Sequence, residues 1–161
     1  MLVALFILCI LFFLYRVSSS NANTIKVSNP WIWIALIISL TQIILGTQVR
    51  ESVDALLHAF DRSQIIQQLP FVFELHRSLA CLVIISNLLV IFHYRQLFNS
   101  LLELKIILLT LFILLISGIV MSYYKFMGFA QLMHLISAMS LFMCQYSLIL
   151  KWTPLPILRS P

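Results

Sequence analysis

The chain is expected to fold as an all-α integral membrane protein, an up-down four-helix transmembrane bundle with one partial N-terminal helix in front of it. Three observations lead there. Hydrophobic residues make up 62% of the 161 and charged residues only 9%, whereas a soluble domain carries roughly 25% charged residues. The apolar residues form continuous runs and do not alternate, which favours helices over a β-barrel. Two histidines, His76 and His134, lie within such runs, where an imidazole is costly unless something uses it.

Five apolar segments follow in order: Met1–Tyr15, Pro30–Val49, Pro70–Tyr94, Ile106–Tyr124 and Gly128–Leu150. Segments two to five reach the length of about 20 residues that a span needs. The first is shorter and opens at Met1 without the basic lead-in of a secretory signal. Residues 1–17 therefore read as the remnant of a preceding helix, or as a helix starting at mid-membrane, and the chain as cut at its beginning. Residues 18–29 are polar and read as a linker, 30–152 as the four-helix domain, and 153–161 as a tail. The connection 50–69 is the one loop with room for structure. Within it Val53, Leu56, Leu57 and Phe60 have helical spacing, which predicts an amphipathic helix lying on the membrane surface.

Cys9, Cys81 and Cys144 all fall inside apolar runs without a metal-ligand spacing, and read as small buried hydrophobes. Arg16, Lys26, Arg95, Lys105, Lys151 and Arg159 fall on one side of the membrane, and Arg50, Arg62, Arg77 and Lys125 on the other. The positive-inside rule makes the first group cytoplasmic, so the amino terminus lies outside and the carboxyl terminus inside. The net charge of +5 is spread along these edges, which excludes a nucleic-acid patch.

Segments three and five run in the same direction and are diagonal partners in an up-down bundle. His76 is six residues past Pro70 and His134 six past Gly128. Both lie about 9 Å along their helices, in the outer half of the membrane. Two imidazoles at equal depth on diagonal helices fit the axial ligands of one haem iron, since neutral imidazole binds iron strongly and the apolar walls suit a large macrocycle. Ser137 and Ala138 share the face of His134 and leave room for a flat ring. Gln42, Gly46 and Arg50 form a stripe on segment two, in which Gly46 lets a ring approach. Arg50 and Arg77 are placed to pair with haem propionates. The competing readings are interfacial snorkelling for the arginines, plain helix packing for Gly46 and Gly118, and interhelical hydrogen bonding without a metal for the two histidines. His58 reads as a solvated loop residue and His93 as an interface residue, because no other histidine is available at its depth.

Three phrases together resemble the haem A synthase family of cytochrome oxidase assembly. They are Thr41-Gln-Ile-Ile-Leu-Gly46-Thr-Gln-Val-Arg50-Glu51, Phe73-Glu-Leu-His76-Arg77 and Gly128-Phe-Ala-Gln131-Leu-Met-His134-Leu-Ile-Ser-Ala138, within about 110 residues from Trp31 to Leu141. The resemblance implies eight helices in two pseudo-repeated halves, each binding a haem through paired histidines on the outer side. It implies oxidation of a methyl group of haem O to the formyl group of haem A by successive hydroxylations, with haem O the substrate and haem b the electron-transfer group. Segments two to five match the C-terminal half. This implies haem b on His76 and His134 as iron ligands, with Arg50, Arg77 and Gly46 around it, in a bacterial inner membrane with the haem toward the periplasmic side. Implied partners are the lipid bilayer, a missing N-terminal half or a second copy of the chain, and a haem O synthase.

The chain also departs from the family. The first half is almost wholly missing, including its histidines and its catalytic-type carboxylate. In the family that acid precedes a His-Arg pair by three positions, while Glu74 precedes His76 by two. About 100° of helix rotation separates the two placements, so the acid's role is not carried over. No loop cysteine is present. A chain of this kind binds one haem and is expected to be inactive alone. The rivals are a bis-His b-type membrane cytochrome that relays electrons without catalysis, and a non-haem membrane assembly factor.

Overall fold

Each span is dominated by aliphatic and aromatic residues, with few polar side chains between them. The computed structural model describes residues 2–18, 30–59, 64–123 and 128–152. Helix α1 is Leu2–Ser18, α2 Pro30–Leu56, α3 the single turn Ile65–Gln68, α4 Phe71–His93, α5 Leu102–Tyr123 and α6 Gly128–Trp152. Pro30 occupies the first turn of α2, where its missing N–H costs nothing. Pro70, extended at ψ 166°, stops the approach to α4 and lets the helix begin at Phe71. A 3-10 turn at Arg95–Leu97 links α4 to α5, closed by Leu97 N–H donating to the Tyr94 carbonyl over 2.8 Å.

The described residues contain four helices long and apolar enough to cross a membrane: α2, α4, α5 and most of α6. The expected all-α membrane bundle is therefore what is found. Helices α2 and α4 pack as one antiparallel hairpin and α5 and α6 as another. The hairpins meet along α2 and α6 and, more thinly, along α4 and α5. That arrangement leaves α4 and α6 diagonal to one another.

Three apolar clusters hold the assembly. The largest fills the bundle with Ile32, Ala35, Val83, Val90, Tyr94, Leu104, Ile107 and Leu148 among others. A second caps the other end through Val49, Val53 and Ile65, with Val72, Phe73 and Met121 packed on them. The third joins α1 to the bundle through Leu5, Ile43 and Phe142. Ala138, expected on the ring face of His134, packs against this last cluster, while Ser137 is buried.

Two expectations need correction. The connection after Val49 does not begin as a loop with a separate surface helix: α2 continues unbroken through Leu56. Val49 and Val53 stay on the packing face, Ser52 Oγ donates to the Gln48 carbonyl over 2.9 Å, and Arg50 lies 3.8 Å from Asp54 one turn on. Cys81 is exposed, not buried, because the face of α4 that also carries Leu82 and Ile85 points away from the bundle. Cys9 and Cys144 are half-buried. Most of the linker, the tail from 153 on, Phe60, Arg62 and Lys125 lie outside the described residues.

Candidate functional site

The two intramembrane imidazoles meet. The ring centroids of His76 on α4 and His134 on α6 are 6.4 Å apart, with the ring planes at 60°. Both rings are half-buried, between the large apolar cluster and the cap. Equal depth on diagonal helices, the arrangement expected from spacing, is what brings them together.

Each hairpin also supplies a glycine that makes room for its own histidine. A Cβ built on Gly46 of α2 would sit 3.2 Å from Cε1 of His76, and one on Gly118 of α5 would sit 3.8 Å from Cε1 of His134. The ring that approaches Gly46 is thus the imidazole itself. Neither glycine serves general helix packing alone.

The hydrogen bonds around the rings are unequal. Ser117 donates its own proton to the Leu114 carbonyl over 3.2 Å, which leaves its oxygen to accept the Nδ1–H of His134 at 2.9 Å. In that arrangement Nε2 of His134 carries the lone pair, the usual state of a metal-ligating histidine; with the hydroxyl turned to Nδ1, the proton moves to Nε2. His76 has no such support. Gln42 Nε2 donates to the backbone carbonyl of His76 over 2.8 Å and lies 3.5 Å from the Nε2 of its ring. The Nδ1 of His76 is buried without a hydrogen-bond partner. If Nε2 carries the proton, it faces another N–H. If Nδ1 carries it, that N–H has no acceptor. Either tautomer leaves one buried group unsatisfied, at a cost of about 1–3 kcal/mol.

The other candidates fall away from this centre. Arg50 is exposed beside Asp54, and Arg77 is exposed with its guanidinium 5.8 Å from the centre of the Phe73 ring. Both stand at the capped end of the bundle, and neither touches an imidazole. His58 and His93 are exposed; His93 lies edge-on to Tyr94. Glu51 and Glu74 are exposed as well.

Two polar groupings were not anticipated from the sequence. Gln145 is fully buried and donates from Nε2 to Ser39 Oγ over 2.9 Å and to Asn87 Oδ1 over 2.7 Å. Nearer the α4–α5 turn, Lys151 forms an ion pair with Glu103, whose Oε1 also accepts from Ser147 over 3.0 Å. A single polar residue in an apolar run is the available signal for such groups, and intramembrane Asn, Gln and Glu carry it.

Among the described residues, no group of three or more His, Cys, Asp or Glu comes together around an ion. A metal between His76 and His134 would need its remaining ligands from a macrocycle. Two metal–imidazole bonds of about 2.0 Å in line place ring centres about 6.3 Å apart, which fits the observed spacing. The same spacing falls within the range of a tilted ring contact. No family model matches the chain, and neither a curated protein nor a solved structure matches it.

Proposed function

We propose that the bundle binds one haem b, with His76 and His134 as the axial ligands. We further infer that the chain is the haem-carrying C-terminal half of a haem A synthase-type oxidoreductase, which acts on haem O in a bacterial inner membrane. The observation that carries the haem reading is the pair of imidazoles 6.4 Å apart on diagonal helices, with Nδ1 of His134 held 2.9 Å from Ser117 Oγ. Haem supplies a one-electron couple when bound. The chain's residues do the rest. Ser117 orients His134, Gln42 pins the backbone of His76, Gly46 and Gly118 admit the two rings, and the cap over Val49, Val53 and Ile65 keeps water off that end. The synthase reading is supported by the three sequence phrases, whose residues Gln42, Gly46, His76 and His134 cluster at one depth.

A second reading is an electron relay with no chemistry of its own. It is favoured by the exposure of Glu51 and Glu74, which leaves the imidazoles without a carboxylate from either. Both readings are tested on purified protein loaded with hemin. A six-coordinate low-spin spectrum is expected, lost in His76→Ala and in His134→Ala and kept in His93→Ala. A six-coordinate spectrum that survives either of the first two changes contradicts the haem assignment. Conversion of added haem O to haem A, with and without a first-half partner, separates synthase from relay.

A further inference from the structure

We propose that the two axial positions are unequal. His134 is the fixed ligand and His76 the displaceable one, with Gln42 placed to receive the freed imidazole. Release of His76 would let a haem held by His134 take a small neutral ligand of the carbon monoxide or dioxygen class. This rests on the haem reading and goes beyond a closed bis-imidazole relay.

The argument is one of hydrogen-bond accounting. The Nδ1–H of His134 is held by Ser117, itself held by the Leu114 carbonyl. An imidazole whose Nδ1–H has an acceptor is a stronger and better oriented ligand. His76 is the reverse. Its Nδ1 has no partner, so nothing strengthens it as a ligand. Its Nε2 lies 3.5 Å from the amide nitrogen of Gln42. That amide has two N–H groups. One is spent on the His76 carbonyl at 2.8 Å, and the other is left for the ring. Off the iron, Nε2 of His76 would therefore have a donor waiting.

Such an exchange would replace the Nε2 of His76 by the incoming ligand. No electron or proton changes hands. Gly46 removes the side chain that would otherwise pin the His76 ring from behind, since a Cβ there would stand 3.2 Å from Cε1. Gln42 is thus a positioning residue that acts through His76.

The test uses the full chain in detergent, loaded with hemin, reduced with dithionite and titrated with carbon monoxide. The wild-type protein is expected to bind carbon monoxide and to show its carbonyl absorbance. Gln42→Leu, which removes the N–H donor for the freed imidazole, is expected to weaken carbon monoxide binding about fivefold to tenfold, the worth of one ordinary hydrogen bond. His76→Gly is expected to keep haem in a five-coordinate form that binds carbon monoxide more tightly, whereas His134→Gly loses the haem. This glycine pair decides the matter if Gln42→Leu fails to fold. A six-coordinate haem that refuses carbon monoxide, or retention of haem by His134→Gly and its loss from His76→Gly, overturns this proposal and leaves the haem reading intact. A chain that takes up no hemin overturns both.

Discussion

The amide of Gln145 donates to Asn87 over 2.7 Å and so ties α6 to α4 straight across the diagonal of the bundle. Asn87 lies three turns beyond His76, and Gln145 lies three turns beyond His134. The two diagonal helices are therefore joined at two levels in the same register. Interhelical hydrogen bonds of this kind are worth about 0.6 kcal/mol on average and up to about 1.7 kcal/mol in membranes. A double-mutant cycle with Asn87→Leu and Gln145→Leu, read by denaturant unfolding in micelles, is expected to return a coupling energy in that range. A coupling near zero would show that the bond does not hold the diagonal together.

The glycines give a sharper contrast. In a helix interior, Gly→Ala ordinarily gains up to about 1 kcal/mol. Gly118→Ala places its Cβ 3.8 Å from the His134 ring, an ordinary contact, and is expected to be neutral or stabilising. Gly46→Ala places its Cβ 3.2 Å from His76, and the ring can retreat only by disturbing its contact with Gln42. It is expected to lower the melting temperature and to weaken hemin uptake, as followed by thermal scanning and by Soret absorbance.

Glu103 and Lys151 pair where the first turn of α5 meets the last turn of α6. Each charge also complements the dipole of its own helix. Their side chains are only 14% and 26% exposed, so removing one partner strands the other. Lys151→Met is expected to destabilise by about 1–3 kcal/mol, less than a fully buried pair would lose. Adding Glu103→Leu to it is expected to recover most of the loss. Unfolding midpoints of the single and double variants measure this directly.

Topology is open to a labelling experiment. In a background with Cys9, Cys81 and Cys144 changed to Ser, an impermeant maleimide is expected to label His58→Cys in intact spheroplasts. Asn99→Cys, at the turn after α4, is expected to react only after permeabilisation. The opposite pattern would reverse the orientation drawn from the Lys and Arg distribution.

The spans and the His76–His134 pairing were legible in the sequence for one physical reason. Both depend on distance along a helix from a recognisable stop: Pro70 before one histidine and Gly128 before the other. The placement of Gly46 followed from the same periodicity, because i, i+4 positions share a face, but the ring against it is the His76 imidazole and not the macrocycle expected. Less could be read of groups whose partners lie on another helix. Ser117, Asn87 and Gln145 have no repeating signature, and their function depends on which helices become neighbours. The end of α2 was misplaced because Arg50, Glu51 and Ser52 look like the start of a loop by polarity alone. Their backbone stays helical because Val49 and Val53 continue the buried stripe. Arg50 and Arg77, read as anion partners, are exposed and engage Asp54 and the ring of Phe73.

Each hairpin of the bundle carries one glycine and one imidazole, and neither hairpin holds a second histidine close enough to complete the pair. Assembly of the membrane domain and creation of its donor set are thus a single event. Anything gripped by both rings acts as a rivet between two halves that otherwise adhere along α2 and α6, with only thin packing along α4 and α5. By mass action such a rivet stabilises only the closed form, so cofactor supply during membrane insertion would govern how much finished protein accumulates.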